Sequence, residues 1–203
     1  MTKPEFRVRA RHHLGVYHTN HEKYYEFLPI LLQDLESCLS DITAAWPKDA
    51  TGAITEASHP HIYRLCVRRD SLTDSMTIYA AMCLKATLNY YGVRRLGDRQ
   101  FRLHVERLPM KRKLQLLLLW CENTIVDPEG ELLQILSRVT QRRNQLVYPT
   151  TQEVDRLLSA DERGGRPCVE IAREALADSR AFFRELLIVA PETVDVHPVV
   201  RGV

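Results

Sequence analysis

The sequence predicts an all-α fold, a bundle of four to five main helices, and three observations carry that expectation. Apolar residues recur at spacings of four and three through several long stretches, the period of one buried helical face. No strand pattern alternates with these stretches, so nothing calls for a parallel sheet. Short groups of Pro, Gly, Ser, Thr and Asp separate them, which is the composition of exposed connections.

The chain has 203 residues, 45% of them apolar. That is enough to bury a proper core, and one domain is the natural count. We divide it into a basic N-terminal arm (1–21), a single helical domain (22–190) and a C-terminal tail without periodicity (191–203). The net charge of +2 sets up no global field that would demand nucleic acid. Cys38, Cys66, Cys83, Cys121 and Cys168 are odd in number and widely spaced, which argues for reduced thiols and against a zinc knuckle or a disulfide framework. Cys38, Cys83 and Cys121 fall on apolar stripes and read as core filling. No signal-length apolar run opens the chain and no stretch approaches the ~20 apolar residues of a membrane span, so a soluble, cytoplasmic protein with no membrane contact is expected.

In order, the arm carries Lys3, Arg7, Arg9 and Arg11 among four histidines, either a contact for phosphates or a partner or an ordinary solvated terminus. His18 and His21 share a helical face, but no further metal ligand is near them. From Glu22 to Trp46, Tyr24, Leu28, Leu31, Leu35, Cys38, Ile42 and Trp46 form the first stripe. Pro29 fits only a first turn or a kink, so this helix starts or restarts near it and stops before Pro47. Residues 47–60 read as a loop. The segment His61 to Arg69 is ambiguous: its β-branched and aromatic residues favour an extended chain, but a lone strand has nothing to pair with, and it is read as a connection.

Ser71, with Asp74 three residues on, offers an N-cap for a second helix, whose stripe of Leu72, Met76, Tyr79, Cys83, Ala86 and Tyr90 is closed by Gly92. Between Arg94 and Lys113, eight basic residues (Arg94, Arg95, Arg99, Arg102, Arg107, Lys111, Arg112 and Lys113) face two acids, Asp98 and Glu106. This local excess reads as a phosphate footprint or as a solvated connection. Pro109 fits the first turn of the next helix. Met110, Leu114, Leu117, Cys121 and Ile125, flanked by Leu116, Leu119 and Trp120, make that helix apolar nearly all round, so it is central or faces a second subunit. Thr150 or Thr151 with Glu153 can cap a short helix to Leu158. A last helix carries Ala172, Ala175, Ser179, Phe182, Leu186 and Val189 and ends at Pro191.

The stretch from Glu129 to Thr150 organises the functional reading. Leu132, Leu136 and Val139 form its stripe, and the next positions on that stripe are Arg143 and Leu146. Burying a lone guanidinium costs several kcal/mol, so Arg143 requires an anion, a polar pocket or an interface. Pro149 ends the helix at or just before Tyr148. Asn144 and Tyr148 then lie one turn apart, with Arg143 rotated by ~100° from Asn144, so the three can line one rim. The bland alternative is that Arg143 pairs with an acid across the bundle or dimer, Asn144 caps the helix and Tyr148 packs.

The run Arg143-Asn144-Gln145-Leu146-Val147-Tyr148-Pro149 resembles the motif of HEPN domains: an Arg, a polar residue, then a His about five positions after the Arg, often followed by Pro or Gly. Tyr148 stands at the His position, and the next histidine is His197. The end of the second helix, Lys85 through Asn89, also resembles the family, with Lys85 in place of its usual acid. The resemblance covers roughly Leu72 to Thr150 and implies a HEPN-like helical bundle, commonly a homodimer. In that family the motifs of two subunits form a metal-free ribonuclease site, while other members bind only nucleotides or partners.

The resemblance therefore implies Arg143, Asn144 and Tyr148 as the catalytic set. Arg94, Arg95, Arg99, Arg102, Arg107, Lys111, Arg112, Lys113 and the neighbouring Arg142 become the candidates for RNA contact. The expected setting is a toxin or phage-defence system. No cofactor and no metal are expected. The competing expectation is a catalytically inactive dimeric scaffold or regulatory subunit for a partner protein from the same operon. A tyrosine beside the motif that accepts a nucleotidyl group from a partner enzyme is a third implication.

Overall fold

The computed structural model describes residues 20–46, 56–147 and 168–191. Among them the chain forms six helices and no strand: α1 (Asn20–Ala45), α2 (Pro60–Leu96), α3 (Asp98–His104), α4 (Met110–Glu122), α5 (Glu131–Val147) and α6 (Cys168–Val189). The all-α expectation is met, with five long helices and one short one. The arm before Asn20, the tail beyond Pro191 and the helix expected between Thr150 and Leu158 lie outside the described residues.

α2 is the spine, packed against α1, α3, α4, α5 and α6. A helix with neighbours on several sides cannot show a single apolar stripe, and α2 buries Thr73, Thr77 and Thr87 beside Met76, Cys83, Leu84, Leu88 and Tyr91. Each threonine hydroxyl donates to the carbonyl one turn back: Thr73 to Arg69 at 3.0 Å, Thr77 to Thr73 at 3.2 Å and Thr87 to Cys83 at 2.9 Å. No hydroxyl is therefore orphaned in the core.

The connection expected at His61 to Arg69 is instead the first part of this helix of 37 residues. Ile62 and Cys66, four apart, are buried against Cys38 and Ile42 of α1. Tertiary packing of one helical face outweighs the weak strand preference of the segment. Ser71 caps nothing; its hydroxyl donates to the Val67 carbonyl inside the helix. Gly92 does not close α2 either. A Cβ there would stand 2.4 Å from the Phe101 ring, so this glycine lets α3 approach, and the chain turns at Gly97 with φ of 83°.

α1 runs unbroken through Pro29, where a start or restart was expected. Tyr25 and Leu28, just before the proline, are buried and hold the first turns in the bundle. His21, assigned to the arm, belongs to α1: it is buried, its ring 5.1 Å from that of Tyr90.

Side-chain pairs set the directions. The Cys38 thiol donates to the Leu65 carbonyl while Tyr24 packs on Tyr79, so α1 is antiparallel to α2. Arg173 pairs with Glu36 while Tyr25 meets Phe183 edge-on, so α6 is antiparallel to α1 and parallel to α2. Arg138 pairs with Asp178 and Arg142 with Glu174, which makes α5 antiparallel to α6. α4 buries Leu114, Leu117 and Leu118, but Leu119 and Trp120 are 44% and 51% exposed. It is thus an edge helix, not the central one its composition permits.

Candidate functional site

α5 buries Leu132, Leu133, Ile135, Leu136 and Val139, and no residue after Val139 is fully buried. Arg143 is therefore half-buried at the end of the seam instead of within it. Its Nη1 donates to Oδ1 of its neighbour Asn144 at 2.9 Å, and Asn144 is exposed. Tyr148 lies outside the described residues.

The guanidiniums that meet carboxylates across the bundle are Arg138 and Arg142. Arg138, Arg142 and Ile135 are spaced three and four apart, on the side of α5 that faces α6. Arg142 donates from Nη1 to Asp178 Oδ2 at 3.0 Å and from Nη2 to Glu174, and Arg138 reaches Asp178 Oδ1 and Glu131 Oε1, both at 2.9 Å. Asp178 is buried, so three charge-assisted bonds, two from Arg138 and one from Arg142, replace the water it loses. Arg142, expected among the RNA contacts, is engaged in this internal network. The sequence signal was present, in two arginines four apart on α5 and two acids four apart on α6, but it identifies a pairing only once the helices are known to be antiparallel neighbours.

The basic segment from Arg94 to Lys113 forms the corner where α2 ends, α3 turns and α4 begins. Its members divide by environment. Lys113 is fully buried: its ammonium donates to Asn89 Oδ1 at 2.5 Å and to the Glu106 carbonyl at 3.0 Å, and lies 5.4 Å from the Phe101 ring centre. Burial, with the nearby charge of Lys85, lowers its pKa from 10.5 to about 8. It cannot reach a phosphate, and its removal from the footprint is a correction to the sequence reading. Asn89, which carries part of the family resemblance, serves as its acceptor.

Arg95 binds the Cys121 carbonyl at 2.9 Å and Glu122 at 3.1 Å, tying α2 to the end of α4, where the Tyr91 hydroxyl also donates to Glu122. Arg102 pairs with Asp98 at 2.9 Å on an exposed face. Arg94 lies over the Tyr90 ring and remains exposed, as do Arg99, Arg107, Lys111 and Arg112. Those five make a cationic corner facing water.

The corner and Arg143 occupy different levels of the bundle. Cys168 lies 4.0 Å from Asp70, which sets the register of α6 on α2. Asp178 is then about 15 Å further along, level with the region of Ala80, and Arg94 is roughly 20 Å beyond that. Arg143 and Arg94 therefore stand far apart along α2, while the start of α4 lies between them in height, with Lys113 against Asn89.

The five cysteines are free thiols. Cys38, Cys66 and Cys83 are buried, while Cys121 and Cys168 are partly buried. Among the described residues no group of three or more His, Cys, Asp or Glu is arranged to hold a metal, and no helix is long and apolar enough to cross a membrane. Compared with known proteins, the chain matches no family model, no curated protein and no solved structure.

Proposed function

We propose that the chain is a HEPN-like, RNA-directed protein of a toxin or phage-defence system that engages the RNA backbone through the cationic corner. In this reading Arg143, Asn144 and Tyr148 of two subunits form a degenerate, metal-independent ribonuclease site at a dimer interface. The observation that carries it is the corner itself: Arg94, Arg99, Arg107, Lys111 and Arg112 are exposed beside one exposed acid, Glu106, while Asp98 and Glu122 are engaged by Arg102 and Arg95. Such a surface releases counterions when it neutralises phosphates. The separation of Arg143 from Arg94 within one chain supports a dimer, because a second copy supplies another corner and another Arg143.

Cleavage needs a group that moves protons between the ribose 2′-hydroxyl and the leaving 5′-oxygen. Histidine, with an ordinary pKa near 6.5, suits that task better than tyrosine, near 10. Tyr148 serves as a hydrogen-bond donor or weak acid, Arg143 grips a phosphate through its planar fork, and Asn144 orients Arg143. Turnover is accordingly slow. Incubation with total RNA in EDTA tests this: cleavage by the unmodified protein but not by Arg143→Ala is expected, and equal degradation by both would eliminate the enzyme. Tyr148→His should raise the rate; no gain argues for a repurposed site.

A second reading, an inactive dimeric scaffold or regulatory subunit, is favoured by the Arg138–Arg142–Asp178 network, which spends two of the three arginines of α5 on holding it to α6. It predicts no cleavage by any variant, no RNA binding at the corner, and co-purification with a protein encoded beside it.

A further inference from the structure

Trp120 is the largest side chain that this protein leaves half open to water, at 51% exposure. On α4 the residues Arg112, Leu116 and Leu119 are spaced four and three apart and form a stripe away from the buried Leu114, Leu117 and Leu118; Arg112 and Leu119 are exposed, while Leu116 is partly buried against the core. Trp120 borders that stripe on the side of α3. There the exposed ring of His104 meets it nearly perpendicular, with centroids 6.4 Å apart and planes at 83°. This contact steadies the tilt of the indole without covering it. Exposed cations flank it along the chain, Arg99 and Arg107 on the α3 side and Arg112 on the stripe that Trp120 borders, together with the exposed Glu106.

We propose that Trp120, steadied by His104, is a stacking platform for a base of single-stranded RNA whose backbone is held by Arg107 and Arg112. The proposal rests on the RNA-directed reading above and adds the strand form and the residue that reads it. A flat π-surface beside a phosphate-binding row is what a single strand requires, because its bases are free to splay and stack, whereas a duplex keeps its base faces covered.

The chain has two tryptophans, Trp46 and Trp120, so Trp46→Phe makes fluorescence report on Trp120 alone. That protein is titrated with a single-stranded oligouridylate, with a duplex RNA of equal length, and with heparin, a polyanion without bases. The single strand should quench Trp120 strongly, and heparin should bind without quenching. Trp120→Ala should weaken single-strand binding about tenfold to a hundredfold while leaving the salt slope unchanged. Trp120→Phe, which keeps a ring, should retain most of the affinity, and Arg112→Glu should reduce the slope by about one. Thermal unfolding followed by circular dichroism verifies that each variant folds.

If Trp120→Ala binds the oligouridylate as tightly as before, or heparin quenches as RNA does, the platform is overturned while the RNA-directed reading stands. If no RNA binds at all, both fail together. Concentration-dependent self-association abolished by Trp120→Ala, or binding of an acidic peptide in preference to RNA, would assign the face to a protein partner and overturn the proposal.

Discussion

Arg142 donates from Nη1 to Oδ2 of Asp178 across 3.0 Å, a bond that joins α5 to α6 at a buried carboxylate. Asp178 also takes Arg138, so it is the hub and the two arginines are spokes. Asp178→Ala removes the shared anion but leaves Arg138 with Glu131 and Arg142 with Glu174, so it should cost about 1.5–3 kcal/mol. Arg142→Ala leaves Asp178 still bound by Arg138 and should cost clearly less. Urea unfolding of both variants measures the order, and equal losses would show that the hub does not act as one.

Gly92 and Phe101 fix how closely α3 folds back on α2. An added Cβ would lie 2.4 Å from the ring and 3.1 Å from a Leu117 methyl carbon, and Phe101 is itself in the core. Gly92→Ala should therefore destabilise by about 1–3 kcal/mol through overpacking, although alanine is the better helix former. Shrinking the ring with Phe101→Leu in the same chain should recover part of the loss. A stabilised Gly92→Ala protein would disprove the close approach.

Helices with one buried face were legible in the sequence. The stripe of α6, from Ala172 to Val189, falls where periodicity places it, and so does the buried face of α5 at Leu132, Leu136 and Val139. Of α2 only the middle, from Leu72 to Tyr90, was legible, for a physical reason: being packed on several sides, it mixes threonines and small residues into its core positions, and its first turns take their helical form from Cys38 and Ile42 of another helix. The candidate site was legible in composition but not in environment. Arg142 and Lys113 carry the same charge as Arg107 and Arg112, and only the three-dimensional neighbours Asp178 and Asn89 separate structural cations from exposed ones.

Pro29 lies within α1 and is exposed, so it forfeits one backbone hydrogen bond with no packing in return. Pro29→Ala restores the donor. Set against the added freedom of the unfolded chain, the net gain should be about 1–2 kcal/mol. A rise in the thermal midpoint checks it. A fall would mean that the proline sets a bend the bundle needs.

The division of the basic residues makes a prediction for RNA binding under the proposed function. Arg107→Glu and Arg112→Glu should each lower the slope of log affinity against log salt by about one. Arg142→Gln should leave that slope unaltered, since its charge is already spent on Glu174 and Asp178. Filter-binding titrations at several salt concentrations separate the two sets, and a slope change for Arg142→Gln would return it to the interface.

Lys113 makes stability depend on pH in a direction that can be worked out. Its ammonium is fully buried, and its pKa falls from 10.5 in the unfolded chain to about 8 in the folded one. Between those values the unfolded state binds more protons, so the contribution of this group to stability rises with pH, and the cost of burying the charge is fully present below about 8. Lys113→Met removes that cost but leaves Asn89 Oδ1 and the Glu106 carbonyl without their donor. The stability of the variant relative to the unmodified protein should therefore be highest near pH 7 and decline by up to about 2 kcal/mol by pH 9.5. Cys83, held at about 12 by burial against an ordinary 9.0, destabilises both proteins above pH 9, and the comparison cancels it. Urea midpoints at pH 7, 8, 9 and 9.5 give the difference directly, and a difference that stays flat across that range would mean that the buried amine keeps its ordinary basicity.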